Sequence, residues 1–287
     1  MTAHKDRYLE GKVCIVTGST SGIGKETARA LAHQGGKLIL VGRNPDKTAA
    51  TVEEFKREAD NPDIEYLLAD LSSQNEIRRL AEAFKNRHNR LDVLVNNAGA
   101  FFLWRQESVD GIEMTFALNH LGYFLLTNFL LDTIVASAPA RIINVSSGSH
   151  LRAILDFDEL QGRRGFGGMN AYGQSKLANV LFTYELARRL EGTGITVNAL
   201  HPGFVATNIG SNIGWFMRII RPLMNVRALS VEEGAETVIY LATSPEVEGI
   251  TGKYYFRCKP APSSAYSYDE EVAKQLWAVS EEMTGLS

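Results

Sequence analysis

Cysteine is scarce in this chain: Cys14 and Cys258 are the two in 287 residues. Two cysteines cannot make the multi-bridge framework of a small secreted scaffold, so a reducing, cytoplasmic compartment is expected. Cys14 lies in the apolar run Val13-Cys14-Ile15-Val16 and reads as a small buried filler. Charge of one sign is also lacking. Thirty Lys and Arg face 33 Asp and Glu, for a net charge of -3, which excludes a strong electrostatic footprint for nucleic acid. No uncharged apolar run reaches the roughly 18 residues of a spanning helix. The start, Met1 to Lys12, is polar and charged, unlike a signal peptide or an anchor. Repeats, low-complexity tracts and a composition shift marking a linker are missing too. A length of 287 residues with 45% hydrophobic content then fits one large core, a single domain over 1–287.

What is present is an alternation. Short apolar runs at 12–17, 37–42, 64–69, 91–96, 140–146, 194–200 and 252–257 are expected strands. Amphipathic stretches at 22–34, 45–60, 73–88, 107–136, 170–191 and 231–243 are expected helices. Strands alternating with helices predict a parallel sheet with right-handed crossovers. Val93-Leu94-Val95 and Arg141-Ile142-Ile143-Asn144-Val145 are nearly continuous in apolar residues, as strands are when helices cover both faces. The fold class is therefore α/β: a single-domain, Rossmann-type, doubly wound parallel sheet flanked by helices. Residues 151–168 carry Gly162, Gly165, Gly167 and Gly168 and read as a loop. The tail, 265–287, reads as a terminal helix with Val272, Leu276, Trp277 and Val279 as its apolar face.

The first expected strand runs into Thr17-Gly18-Ser19-Thr20-Ser21-Gly22-Ile23-Gly24, which opens a helix. Glycines there let backbone approach a pyrophosphate, and the helix N-terminus offers N–H groups and a positive dipole. The spacing Gly-x-x-x-Gly-x-Gly differs from the Gly-x-Gly-x-x-Gly dinucleotide fingerprint, and an ordinary glycine-rich turn would look similar. Asp70, followed by Leu71, stands at the carboxyl end of the third strand, where open α/β sheets bind ligands. Its alternative role is capping the next helix, for which Ser72 is better suited. The second strand ends Leu40-Val41-Gly42-Arg43-Asn44 without the acid that holds an NAD ribose diol. Arg43 instead offers a forked cation suited to a 2′-phosphate. The expected cofactor is NADP(H), with NAD(H) still usable if Arg43 merely stacks on adenine.

Tyr172 and Lys176 stand four apart in Tyr172-Gly173-Gln174-Ser175-Lys176, on one helix face. A neighbouring cation favours phenolate, and that is how a phenol with a pKa of about 10 becomes an acid or base near neutrality. A half-buried tyrosine of no chemical consequence would share the pattern. His120 and His201 have no histidine or acid partner at ligand spacing, so both read as structural or site-bordering and no metal is expected.

Taken together, these residues resemble the classical short-chain dehydrogenases/reductases over nearly the whole chain. The matches are Thr17-Gly18-x3-Gly22-Ile23-Gly24, Asn96-Asn97-Ala98-Gly99, Asn119, Ser146-Ser147, Tyr172-x3-Lys176 and Pro202-Gly203. Tyr172-Gly173-Gln174-Ser175-Lys176-Leu177-Ala178-Asn179, Glu185-Leu186-Ala187-Arg188-Arg189-Leu190, His201-Pro202-Gly203 and the long Ser147–Tyr172 segment are most similar to the retinol-dehydrogenase-like branch. The resemblance implies that Tyr172 exchanges a proton with the carbonyl oxygen and that Ser147 orients that carbonyl. It implies that Lys176 holds the nicotinamide ribose and lowers the tyrosine pKa, and that Asn119 carries a water-linked relay. It implies that Asn97, Ala98 and Gly99 line the adenosine–ribose floor. Pro202, Gly203 and Val205 would border the nicotinamide, with Thr207 near its carboxamide or the phosphates. Residues 10–205 would then be the cofactor-binding and catalytic core, and 206–228 the substrate lid.

That lid segment, Ile213-Gly214-Trp215-Phe216-Met217-Arg218-Ile219-Ile220-Arg221-Pro222-Leu223-Met224, is apolar, and Phe101-Phe102-Leu103-Trp104 could add a second apolar wall. Pockets are lined mostly by what they bury, so the expected partner is a small lipophilic carbonyl or alcohol. A subunit interface or a peripheral membrane contact would suit the same residues, and family members are commonly homo-oligomers. Two other functions stay in view. A dinucleotide sensor or scaffold on this fold would lack Tyr172, Lys176 or Ser147, all of which are here. An epimerase-like relative would need a longer C-terminal substrate domain.

Overall fold

The computed structural model describes residues 8–203 and 229–286. Eight strands form one sheet: β1 Val13–Thr17, β2 Lys37–Gly42, β3 Ile64–Leu68, β4 Val93–Asn96, β5 Ala140–Val145, β6 Ile195–Leu200, β7 Lys253–Phe256 and β8 Lys259–Pro260. Their order is β3-β2-β1-β4-β5-β6-β7-β8. The first seven are parallel, as expected from the alternation, with Val16 beside Leu40 and Val95. β8 was not anticipated. It is two residues long and folds back antiparallel on β7. Strand order reverses between β1 and β4, so the crevice at their carboxyl ends is where such a sheet takes ligands.

Helices cover both faces: α1 Gly22–His33, α2 Pro45–Ala59, α3 Gln74–Lys85, α4 Met114–Ala136, α5 Gly168–Arg189, α6 Val231–Thr243 and α7 Glu270–Thr284. Side-chain alternation along the strands sorts the core into two layers. Ile15, Ile39, Leu94 and Ile142 meet α3, α4 and α5 through Phe84, Phe124 and Phe182. Cys14, Val16, Leu40, Val95 and Val145 meet α1, α2 and α6 through Leu31, Phe55 and Val238. A third cluster, with Phe116, Leu181 and Leu276, seats α7 against α4 and α5.

Capping fixes where the helices start. The Asn44 side chain accepts from Lys47 N at 2.8 Å ahead of Pro45, and Ser230 forms a reciprocal capping box with Glu233. Three expectations are corrected. Ser73 rather than Ser72 caps α3, because the Ser72 hydroxyl is spent on Asp70 Oδ1 at 2.7 Å. Residues 107–113 form a tight turn bridged between Glu107 and Glu113. Gly111 takes a positive φ there, and the Glu113 carboxylate caps the helix that begins at Met114. In the tail, a short turn at Ala265–Tyr268 precedes α7. Its buried face is Ala273, Leu276, Trp277, Ser280 and Thr284, with Val272 and Val279 only partly covered. Among the described residues, one helix, Met114–Ala136, is long and apolar enough to span a membrane by composition, and 72% of its most apolar window is buried within this fold.

Candidate active site

The glycine-rich turn joins β1 to α1. Gly18 and Gly22 have φ of 66° and 56°, a region that favours glycine. A Cβ on Gly18 would lie 2.9 Å from Ala98 Cα, and one on Gly24 would strike Gly18 O and Asn97 Nδ2. The β4 end is thus pressed into the turn, and Asn97 seals it by donating Nδ2 to Thr17 O at 2.8 Å. The Thr17 hydroxyl accepts from Asn97 N and Ala98 N at 2.8 and 3.0 Å. Asn97 and Thr17 therefore shape the cradle from beneath.

The members of the turn do different things. Ser19 is buried, with its hydroxyl 3.3 Å from Val41 O. The Thr20 methyl lies against Gly42, where an added Cβ would meet it at 3.1 Å. Ile23 enters the core. Ser21 is exposed at the N-cap of α1, its side chain makes no capping bond, and the first turn holds no acid. The helix N-terminus therefore offers N–H groups and positive dipole to an anion. Glycines that let the β4 end close on the turn, beside an uncapped helix end, fit a pyrophosphate. Arg43 is 73% exposed, with Nη1 3.7 Å from Asp70 Oδ2, so guanidinium and carboxylate frame the outer edge of the same crevice. Leu71 is buried in the core.

The second half of the site lies across the switch point. Ser147 leaves β5 with extended backbone. Its hydroxyl donates to Ser149 Oγ at 3.2 Å and accepts from Ser149 N at 3.3 Å, and its nearness to the Tyr172 phenol acts to lower the phenol's pKa. The neighbouring Ser146 points the other way and donates to Lys176 O at 2.7 Å, as strand alternation requires. The Phe101 ring meets Tyr172 edge-on at 5.8 Å. Lys176 Nζ lies 5.8 Å from the Tyr172 ring centroid and 5.5 Å from that of Tyr123, and donates to Val145 O at 3.0 Å. Gly99 lies beside it: a Cβ there would sit 3.1 Å from Asn119 Oδ1 and 3.4 Å from Lys176 Nζ.

The electrostatics differ from the expectation that Lys176 depresses the phenol. Burial raises the Tyr172 pKa above its ordinary value, and the Ser147 hydroxyl is the group that offsets it. Burial also pushes the Lys176 ammonium down to about 7. Each group is desolvated and disfavours its own charge.

Asn119 sits in a π-helical turn of α4, Ala117–Leu121. Its Oδ1 accepts from Ala100 N and its Nδ2 donates to Ala100 O, both at 2.9 Å, and to Ser175 Oγ at 3.1 Å. Its amide is thus bonded both to the Ala100 backbone and to a side chain of α5. Gly203 has φ of 85° and donates its N–H to His201 Nδ1 at 3.0 Å, with Pro202 beside it. Val205, Thr207 and the expected lid at 206–228 lie outside the described residues. Phe101 and Phe102 are buried walls, while Trp104 is 74% exposed.

His120 is buried among Phe116, Phe124 and Phe182, 2.9 Å from Ser280 Oγ, and burial holds its pKa down to about 3. His201 stacks on Phe256 at 4.2 Å and is held down to about 4. Both are structural. Among the described residues no group of three or more His, Cys, Asp or Glu could hold a metal ion. Two participants escaped the sequence reading: Ser175, whose hydroxyl links Asn119 to Tyr172 O, and His150, three residues past Ser147. Helical spacing from Tyr172 and Ser147 was the available signal for each.

A family model described as short chain dehydrogenase matches residues 12–215. The chain belongs to the short-chain dehydrogenase family. It is 43% identical to human retinol dehydrogenase 13 over 284 residues, covering 97% of this chain and 86% of that protein. It is 42% identical to human polyprenol dehydrogenase over 282 residues, covering 96% and 86%. Among solved structures it is similar to an uncharacterised protein from Mycobacterium paratuberculosis, with a TM-score of 0.77, 30% identity and coverage of 96% and 94%. It is also similar to the Pseudomonas aeruginosa RhlG/NADP complex, with a TM-score of 0.70, 29% identity and coverage of 92% and 99%. The short-chain dehydrogenase is thus an NAD(P)-dependent oxidoreductase of the retinol-dehydrogenase-like branch, acting on a small molecule.

Proposed function

We propose that this short-chain dehydrogenase interconverts a lipophilic aldehyde or ketone and its alcohol, with NADP(H) preferred over NAD(H) and Tyr172 as the acid and base. The observation that carries the reading is the convergence of Tyr172, Ser147 and Lys176 beside Gly99 at the strand-order reversal. Gly18, Ser21, Gly22 and the first turn of α1 would hold the pyrophosphate, Asn97, Ala98 and Gly99 the adenosine–ribose floor, and Lys176, Pro202 and Gly203 the nicotinamide side. When bound, the dinucleotide supplies a hydride to the carbonyl carbon or accepts one from the alcohol. Tyr172 gives its phenolic proton to the carbonyl oxygen in reduction and takes it back in oxidation. Ser147 hydrogen-bonds the same oxygen and steadies the charge that develops on it. Lys176, with Nζ 5.8 Å from the phenol ring centroid, would hold the nicotinamide ribose hydroxyls.

Arg43 at the β2 end, exposed and a forked donor, supports the NADP(H) preference. Phe101 against Tyr172 supports an apolar substrate, because it leaves a ring face rather than a polar group at the reacting end. Polyprenol and retinol, in the names of two relatives, are lipophilic alcohols. A cytoplasmic setting, supported by the two free thiols, and a homo-oligomer belong to the same reading. The test is NADPH consumption at 340 nm with aldehydes and ketones of graded apolar size, beside Tyr172→Phe. Turnover that rises with apolar size and collapses in the variant is expected. A rate indifferent to chain length would overturn the lipophilic substrate, and equal affinity for NADH and NADPH would overturn the cofactor preference.

A further inference from the structure

Ser147 begins a turn of 3-10 helix, Gly148–Arg152, and such a turn returns the third residue beneath the first. That residue is His150, which is fully buried. Its two ring nitrogens have unlike partners. Nδ1 lies 2.7 Å from Ser147 O, and a carbonyl can only accept, so Nδ1 carries a proton. Nε2 lies 3.3 Å from Ser264 N, and a backbone N–H can only donate, so Nε2 carries a lone pair. The two contacts specify one neutral tautomer. Tyr254 packs against the ring at 4.8 Å with its hydroxyl 3.5 Å from Nδ1.

The far end of this link is itself anchored. Ser263 Oγ meets Tyr184 OH and Ser267 Oγ, each at 2.7 Å, and Ser263 N donates to Tyr268 OH at 3.0 Å. Tyr268 stacks on Tyr184 of α5. A loop residue at the end of β5 is thereby bolted, through one imidazole, to the segment between β8 and α7.

We propose that His150 is the positioning residue for Ser147: through Nδ1–H it holds the Ser147 carbonyl so that the serine hydroxyl faces the Tyr172 phenol, and through Nε2 it transmits that position from Ser264. The inference rests on the roles assigned above to Ser147 and Tyr172.

Two variants separate the ring's nitrogens. In His150→Asn the side-chain amide can stand where Nδ1–H stood and keep the bond to Ser147 O. In His150→Gln the longer amide can replace Nε2 toward Ser264 and loses the side-chain bond to Ser147 O, which keeps only the 3.1 Å bond from the backbone N–H of position 150. The expected result is that His150→Asn keeps kcat within about threefold, while His150→Gln lowers kcat by about 10- to 100-fold with KM and NADPH affinity unchanged. In a Ser147→Ala background, His150→Gln should cost nothing further, because the group it positions is gone. Equal losses in the two variants, or losses additive with Ser147→Ala, would overturn the proposal in favour of a purely structural histidine. Two measurements need no turnover. The Tyr172 phenol pKa, followed by NMR of ring-labelled tyrosine and assigned with Tyr172→Phe, should rise in His150→Gln and hold in His150→Asn; no rise overturns the proposal. In the unmutated protein, imidazole nitrogen NMR should find the proton on Nδ1; a proton on Nε2 overturns it even if every variant misfolds. A wild-type protein with no turnover on any carbonyl would defeat the proposed function, and these two measurements would still decide the role of His150.

Discussion

Asn119 grips the backbone of Ala100 from both sides, accepting its N–H and donating to its C=O at 2.9 Å each. The grip fixes the loop after β4, on which Gly99 lies against Asn119 Oδ1 and the Lys176 ammonium. Asn119 itself stands in the π-helical turn, where the regular ladder of α4 is interrupted. Asn119→Leu strands Ala100 N and O, so a loss of about 2–4 kcal/mol in urea unfolding is expected, together with reduced turnover. A variant as stable as the parent would mean that the loop holds itself.

Tyr172→Phe removes the phenolic proton and little else, since the ring's packing against Phe101 is kept. Turnover should fall by about 10²- to 10⁴-fold, with NADPH affinity measured by fluorescence titration unchanged. Ser147→Ala should also raise the Tyr172 pKa, because the serine hydroxyl is the group that offsets burial there. A phenol pKa unmoved by that change would remove Ser147 from contact with it.

The strands were legible because apolar runs such as Val13-Cys14-Ile15-Val16 are buried on both sides, and Tyr172 with Lys176 because helical spacing is local. What escaped depends on competition between partners. Ser72 is as good a cap as Ser73 by type, and only the Asp70 carboxylate two residues away takes it. The helix read from 107 begins at 114, because Glu113 has both carboxylate oxygens turned to backbone N–H groups. His150 was invisible because one of its partners, Ser264, is 114 residues distant. The burial of Tyr172 and Lys176 was invisible for a related reason: spacing gives proximity but not desolvation.

That desolvation makes Lys176 a liability to folding. Burial lowers its pKa from 10.5 to about 7. Between those values the unfolded chain holds a proton that the folded chain has lost, so stability rises with pH across the window, and the full penalty applies below 7. Lys176→Met keeps the stem and removes the charge. It should be more stable than the parent by about 2–4 kcal/mol at pH 7, after about 1 kcal/mol for the lost bond to Val145 O. The gap should close toward pH 10, while turnover is lost. Urea unfolding at pH 7 and 9.5 measures it, and a variant less stable at both would refute the buried-amine account.

Arg43→Ala tests the cofactor's outer edge. The guanidinium is mostly exposed and its pairing with Asp70 is long, so little stability should be lost. NADPH affinity should fall by about 10- to 100-fold, the scale of charge-assisted hydrogen bonds, with NADH affinity unchanged. A parallel loss for both dinucleotides would assign Arg43 to the adenine instead.

His120 joins α4 to the tail, because its Nε2 meets Ser280 Oγ while that hydroxyl is already donated to Leu276 O. The histidine must therefore be the donor in that pair. Burial holds its pKa down to about 3, and that of His201 to about 4. An unfolded histidine takes its proton near 6.5, so each contributes stability that is whole above that pH and lost as pH falls toward 4 and 3. The slope from each is about 1.4 kcal/mol per pH unit once below 6.5. His120→Gln keeps a donor for Ser280 and cannot titrate. It should be less stable than the parent at pH 7, where a ring is lost from the Phe116–Phe124–Phe182 cluster, yet its stability should decline less steeply between pH 6 and 4. Urea unfolding across that range decides it: an unchanged slope would mean that His120 already carries a proton in the folded protein, and that the tail is held by a cation.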